Sequence, residues 1–179
     1  TDGNASFTQI MGDANLITVN FNPAADRLRV ISNTGQNLRI NVDTGATITD
    51  GTINLATGTA AVVAGAYTNA FAGTGSTKLY SIDQNSDRIY LQNANAGTLG
   101  NSTALGADIN TNGGGGFDID PISNVGFAAL KLASGNYKFF KLNLANVGTS
   151  SDAVFESHDL NNSFNSMGIR GIALKRSTN

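Results

Sequence analysis

A phrase that opens at Val19 returns at Phe117, and that repetition limits the chain to folds built from copies of one unit. Val19-Asn20-Phe21-Asn22-Pro23, with Asp26 three residues on, matches Phe117-Asp118-Ile119-Asp120-Pro121, with Asn124 three residues on. The offset is 98 residues, twice 49. Halfway between, Gly65-Ala66-Tyr67-Thr68-Asn69 stands where a third copy begins, without the proline. A second phrase also recurs, as NLRINVDTG from Asn37, DRIYLQNANAG from Asp87 and KFFKLNLANVG from Lys138, at spacings near 50.

Within the unit the pattern is that of strands. In DRLRVIS and QNLRINVD apolar and polar residues alternate with period two, as in a strand with one buried face, and Leu28, Val30, Leu38, Ile40 and Val42 fall on one side. Between the two runs lies Asn33-Thr34-Gly35, which ends in the residue that most easily turns left-handed and so suits a bulged three-residue hairpin loop. That loop sets the register: Leu28 opposite Ile40, Val30 opposite Leu38 and, on the other face, Arg29 opposite Arg39. Three copies of at least three strands, with a fourth expected in each, describe an all-β, β-propeller-like repeat of antiparallel four-stranded blades. A β-solenoid is the rival, but its repeats are usually shorter.

The 179 residues correspond to about 3.65 repeats of about 49 residues, fewer than the four blades a closed ring needs. We expect residues 1–14 to be the tail strand of a preceding blade, with repeats over 15–61, 62–112 and 113–166 and a closing strand over 167–179. Within these, TINLAT is expected as an outer strand of the first repeat, AAVVAGAY as a short buried strand, and TKLYSID and DRIYLQN as a hairpin across Gln84-Asn85-Ser86. NVGFAALKLA and YKFFKLNLA form the next hairpin through Ser134-Gly135-Asn136, followed by DAVFESHDL as its outer strand. The run Gly113 to Gly116 is expected to be a loop between blades. The predicted core comprises Leu28, Val30, Leu38, Ile40, Tyr67, Leu79, Ile89, Leu91, Phe117, Ile119, Phe127, Phe139, Leu142 and Ile172.

Composition excludes several partner classes. A net charge of −2 and an isoelectric point near 5.1 give no electrostatic reason to expect nucleic acid. No run approaches the roughly 20 apolar residues of a membrane helix. There is no cysteine, hence no disulfide or thiol chemistry. Asparagine occurs 23 times against 11 lysines plus arginines, a balance we associate with exported surface proteins. The chain starts at Thr1 without a signal peptide, so a processed form or a fragment is expected.

FNPAADRLRVISNTGQNLRINVDTGA, then DGT, GAYTN, TKLYSID, LQNANAGTL, LGADI, GGFDI and a closing GIRGIAL, resemble in order the bacterial family catalogued as domain of unknown function 4394. The resemblance implies a repeat β-protein, usually exported, with no established enzymatic activity. It also implies further repeat sequence upstream, of which SFTQIMGD is what remains here.

Candidate chemistry is sparse. The one histidine, His158, lies in ESHDL beside Glu156, Ser157 and Asp159, but strand neighbours point to opposite faces, so Ser157 and His158 cannot pair as nucleophile and base. Asp118 and Asp120 share a face at the start of a blade, where carboxylates more often cap turns than transfer protons. No catalytic residue and no cofactor are assigned. Asp83, Asn85 and Asp87 have the spacing of the first ligands of a calcium loop. However, Arg88 stands where such loops use glycine, no glutamate follows at the twelfth position, and a hairpin turn explains the same residues without a metal. The glycine run lacks the Gly-Lys-Ser/Thr of a phosphate loop. Arg29 and Arg39, like charges directly opposite, need a partner. Either a carboxylate such as Asp26, Asp43 or Asp87 makes a structural network, or an anionic ligand binds.

The expected function is therefore a non-enzymatic extracellular or cell-surface module, structural or binding. The alternative is a propeller enzyme, a hydrolase or lyase acting on an extracellular polymer at the channel mouth. A lone terminal strand leaves unpaired backbone groups. Either SFTQIMG and GIRGIALKR pair within one molecule, or a strand from a second copy completes the edge, giving a head-to-tail oligomer or fibre.

Overall fold

A computed structural model describes residues 16–110, 114–160 and 168–174 of the chain. Among them lie twelve strands in three antiparallel four-stranded sheets, each an up-and-down meander in chain order. The first blade holds β1 (Ile17–Asn22), β2 (Arg27–Ser32), β3 (Asn37–Ile40) and β4 (Thr47–Thr49). The second holds β5 (Val62–Tyr67), β6 (Leu79–Asp83), β7 (Arg88–Gln92) and β8 (Leu99–Ala104). The third holds β9 (Gly115–Ile119), β10 (Val125–Lys131), β11 (Tyr137–Asn143) and β12 (Val154–Asp159), with a single 3-10 turn at Leu144–Asn146. The innermost strands β1, β5 and β9 pack side by side around an axis, as in a propeller.

The hairpin between β2 and β3 has the expected register, Leu28 with Ile40, Arg29 with Arg39 and Val30 with Leu38. Gly35 takes φ 92° in its loop, where its N–H bonds to the Ser32 carbonyl at 3.0 Å. The repeated phrase is a capped turn. Asn22 Oδ1 accepts the Ala24 and Ala25 N–H groups at 3.0 and 2.9 Å, and Asp120 Oδ1 accepts those of Ile122 and Ser123 at 3.1 and 2.7 Å. Four residues after each, Asp26 and Asn124 turn left-handed at φ 51° and 55°, a conformation that short Asx side chains tolerate. Asn41 with Gly45 and Asn93 with Gly97 repeat the device.

Blades stack face to face, so both faces of a blade can be buried. That corrects the expectation of one buried face. The middle blade is sandwiched, and β5 and β6 are buried along their whole length. Val62, Tyr67, Leu79 and Tyr90 pack against Ile31 of the first blade, whereas Ala66, Tyr80, Ile82 and Ile89 pack against Phe117, Ile119, Leu130, Phe140 and Leu142 of the third. Of the predicted core, Val30, Leu38, Ile40, Tyr67, Leu79, Ile89, Phe117, Ile119 and Leu142 are buried. Leu28, Leu91, Phe127, Phe139 and Ile172 are only half-buried. Strand parity explains two of these: Phe140 and Leu142 point at the middle blade, which turns Phe139 to the far face, where its ring lies 6.0 Å from that of Phe127. Val42 is exposed because β3 ends at Ile40 and the chain is already turning.

Two segments differ from expectation. The outer strand of the first blade is Thr47–Thr49, not TINLAT; that stretch crosses to the second blade, where Asn54 bridges Thr98 in parallel and Ile53 is buried. Gly115 and Gly116 are not loop but strand β9. A Cβ on Gly115 would sit 2.8 Å from the Ala129 carbonyl oxygen, and one on Gly116 would sit 2.4 Å from the Ile172 nitrogen. Glycine is there for close approach, not flexibility. The segment 168–174, expected in the closing strand, makes no ladder. It lies against β9 and is tied by the Leu174 N–H to Asp118 Oδ2 at 2.8 Å and by the Ile169 N–H to the Tyr137 hydroxyl at 2.9 Å. The strand expected within residues 1–14 falls outside the described residues.

Candidate functional site

The residues singled out by sequence chemistry do not converge on one place. Arg29 and Arg39 share Asp50, with Arg29 Nη1 to Asp50 Oδ2 at 2.7 Å and Arg39 Nη2 to Asp50 Oδ1 at 2.9 Å. The carboxylate is thus neither Asp26, Asp43 nor Asp87. Arg29, 2% exposed, also donates to Asn37 Oδ1 at 2.7 Å, to the Tyr67 hydroxyl at 3.2 Å and to Asn95 Oδ1 at 3.3 Å. It therefore ties the first blade to two residues of the second. Asp50 stands 21 positions after Arg29, and no local spacing marks the pair.

Asp83, Asn85 and Asp87 belong to the β6–β7 turn, and each serves a different backbone group. The Asp83 carboxylate accepts the N–H groups of Ala61 and Ser86 and the Ser86 hydroxyl; Asn85 donates to the Thr59 carbonyl at 2.9 Å; Asp87 Oδ1 accepts the Ile109 N–H at 2.7 Å. All three side chains are thus engaged by partners within the chain. Asp118 and Asp120 likewise serve the chain, Asp118 holding Leu174 and Asp120 capping its turn. On the exposed strand β12, His158 Nε2 lies 2.6 Å from Glu156 Oε1. That hydrogen bond, then the imidazole charge and more weakly Lys141, holds the Glu156 carboxyl below its ordinary value. Ser157 is paired across the ladder with Phe140, away from this couple.

Space for a ligand lies elsewhere. Around the axis, Thr18 and Asn20 of β1, Val63 and Ala64 of β5, Gly115 and Gly116 of β9 and residues 170–172 enclose about 80 Å³. That volume is below the roughly 300 Å³ of small-molecule sites. Its walls are stitched by the Thr18 hydroxyl, which donates to the Gly65 carbonyl at 3.2 Å and accepts the Gly65 N–H at 2.8 Å.

Two larger clefts open where the inner strands end. The β1–β2 and β9–β10 connections there are the short turns 23–26 and 120–124, but the β5–β6 connection runs over 68–78. Such an enlarged loop on a rigid scaffold is where binding residues concentrate. Its Thr77 and Lys78 border both clefts. The cleft between the second and third blades measures about 430 Å³, but its polar groups answer one another. The Asn69 N–H donates to Asn124 Oδ1 at 3.0 Å, Asn124 Nδ2 donates to Asn69 Oδ1 at 2.8 Å, and the Tyr80 hydroxyl donates to the Leu144 carbonyl at 3.3 Å. Burial pushes the Tyr80 phenol above its ordinary value. The cleft between the first and second blades measures about 570 Å³ and is bordered by Asn22, Lys78, Gln92, Asn93, Thr98 and Asn101 over Leu79, Leu91 and Ala94. Sequence reading missed it because its residues come from strand ends and connections far apart in the chain. The one available signal was the Asx turn recurring at Asn22 and Asn93.

A family model described as "Domain of unknown function (DUF4394)" matches residues 2–173. No curated protein matches the sequence.

Proposed function

Because the chain belongs to the family described as domain of unknown function (DUF4394), whose description carries no activity, we propose a role from geometry and composition: a non-enzymatic extracellular or cell-surface module that binds and assembles. One observation carries the reading. The candidate ionisable groups Arg29, Arg39, Asp83, Asp87, Asp118 and Asp120 are engaged in holding the fold, while the open cleft between the first and second blades is bordered by amides, hydroxyls and a single lysine. The narrow axial space also supports a module over a polymer-degrading enzyme, since propeller enzymes gather their reacting groups around one channel. The lysine-poor, asparagine-rich composition supports export.

Incubation with a panel of insoluble extracellular polysaccharides checks this directly. The expected result is co-sedimentation of the protein with at least one polymer and no release of reducing ends or unsaturated products. Product release would establish the hydrolase or lyase instead.

Assembly is proposed through the outward face of the first blade. There Val19 and Phe21 of β1 are 54% and 49% exposed, whereas Val30, Leu38 and Ile40 on the same face are buried. Two large apolar side chains exposed on one strand are a surface that a second copy seated head-to-tail would cover. Mass measured across micromolar concentrations should show oligomers that V19E/F21E abolishes. A monomer that persists on concentration would refute assembly.

A further inference from the structure

Gln92 closes the inner end of the cleft between the first and second blades. It is 4% exposed; its Oε1 accepts the Ser81 hydroxyl at 2.5 Å, and its Nε2 is buried with no partner among the described residues. A buried amide donor without an acceptor is uncommon in native proteins, and of the five such buried polar atoms among the described residues Gln92 Nε2 is the one that belongs to a residue bordering this cleft. Asn22 and Asn93 add to this. The Oδ1 of each is clamped by two backbone N–H groups of its own turn, which settles which amide atom is oxygen and leaves the NH₂ of each as a held donor with no acceptor among the described residues. Lys78 borders the same cleft, exposed and with no carboxylate within salt-bridge distance among the described residues. No aspartate or glutamate lines the cleft.

Three amide donors and one ammonium, without a counter-charge, call for a ligand rich in acceptors and carrying one negative charge. The Thr98 hydroxyl and the Asn101 amide can both give and receive bonds, which suits sugar hydroxyls, and Leu79 and Leu91 offer an apolar floor for ring C–H groups. At about 570 Å³ the cleft is within the range of small-ligand sites. A phosphate, with its greater charge, is matched less closely by a single cation. We propose that this cleft binds a uronic acid residue of an extracellular polysaccharide, with Lys78, Asn22, Gln92 and Asn93 taking its carboxylate and neighbouring oxygens. The proposal rests on the binding-module reading and names its ligand class.

The test is an NMR titration of the 179-residue chain with galacturonate and glucuronate, against galactose, glucose and acetate. Saturable shifts are expected at cleft residues for the uronates, with neutral hexoses and acetate each at least about tenfold weaker. N22D is the informative variant. Asp120 makes the same turn in the third blade, so the fold tolerates an aspartate there, while the donor becomes a repelling oxygen. N22D and K78Q should each weaken uronate binding about tenfold or more at unchanged melting temperature. Absence of saturable uronate binding would overturn the proposal, as would equal binding of a neutral hexose or of acetate, or uronate affinity that both variants leave intact. If polysaccharide co-sedimentation survives such a result, the ligand class fails while the module reading stands. Release of cleavage products would sink the module reading itself.

Discussion

Asp50→Ala should destabilise the fold by about 3–5 kcal/mol, the range for removing one partner of a buried ion pair. For a chain of this size that corresponds to a fall in melting temperature of roughly 6–20 °C. The Arg29 and Asp50 side chains are 3% and 7% exposed, so the guanidinium left behind keeps its charge with little water to solvate it. Asn37, Tyr67 and Asn95 would still accept from it, but none carries an opposing charge. Arg39 stands directly across the ladder, and without the shared carboxylate the two like charges face each other. Arg39→Ala should cost far less, about 1 kcal/mol at most, because that side chain is 30% exposed. Asp50→Asn should fall between the two, since it keeps hydrogen-bond acceptance and loses charge. Thermal unfolding by circular dichroism reads all three. If Asp50→Ala costs less than about 1 kcal/mol, a bound anion rather than Asp50 neutralises the arginines, which is the alternative the sequence left open.

What the sequence disclosed was whatever a short stretch determines by itself. The β2–β3 register follows from Asn33-Thr34-Gly35 and a period-two pattern, and it is observed pair for pair. The β6–β7 and β10–β11 hairpins follow in the same way. Features that depend on blade stacking were not disclosed. Alternation places Arg29 on the polar face, and only the docked blade shows that face to be buried, since it covers Arg29 and supplies Asn95 and Tyr67. Asp83 and Asp87 suit a turn or a calcium loop equally because the two share their first residues, and the backbone partners Ala61 and Ile109, each 22 positions away, carry no local mark in the sequence. Gly115 and Gly116 read as flexible because composition cannot show the backbone that crowds them. The cleft was hidden for the same reason: Asn22, Lys78 and Gln92 meet only after two blades have folded and docked.

Docking of the first two blades is itself backbone against backbone, and Gly97→Ala should expose that as a loss of about 2–5 kcal/mol. Gly97 has φ 74°, where an L side chain costs about 1–2 kcal/mol. A Cβ there would also lie 2.2 Å from the Gly51 carbonyl oxygen and 2.4 Å from that of Thr52, both on the first blade's side. Neither can withdraw freely. The Gly51 N–H is bonded to the Asn95 carbonyl at 2.8 Å, the Asn54 N–H to the Gly97 carbonyl at 3.0 Å and the Leu99 N–H to the Asn54 carbonyl at 2.9 Å, while Asn37 Nδ2 donates to the carbonyls of Gly51 and Ala94 at 3.0 and 2.8 Å. Forcing a methyl group between them means moving one blade relative to the other, an overpacking cost of about 1–3 kcal/mol. Gly58→Ala separates the two contributions, because Gly58 has φ 85° but nothing within 4 Å of an added Cβ. It should show the conformational penalty alone, about 1–2 kcal/mol. Urea unfolding of both variants, compared at equal m-value, gives the difference that belongs to the blade contact. Were Gly97→Ala no worse than Gly58→Ala, the two blades would be held by their apolar faces and the Arg29 network, and the glycine contact would be incidental.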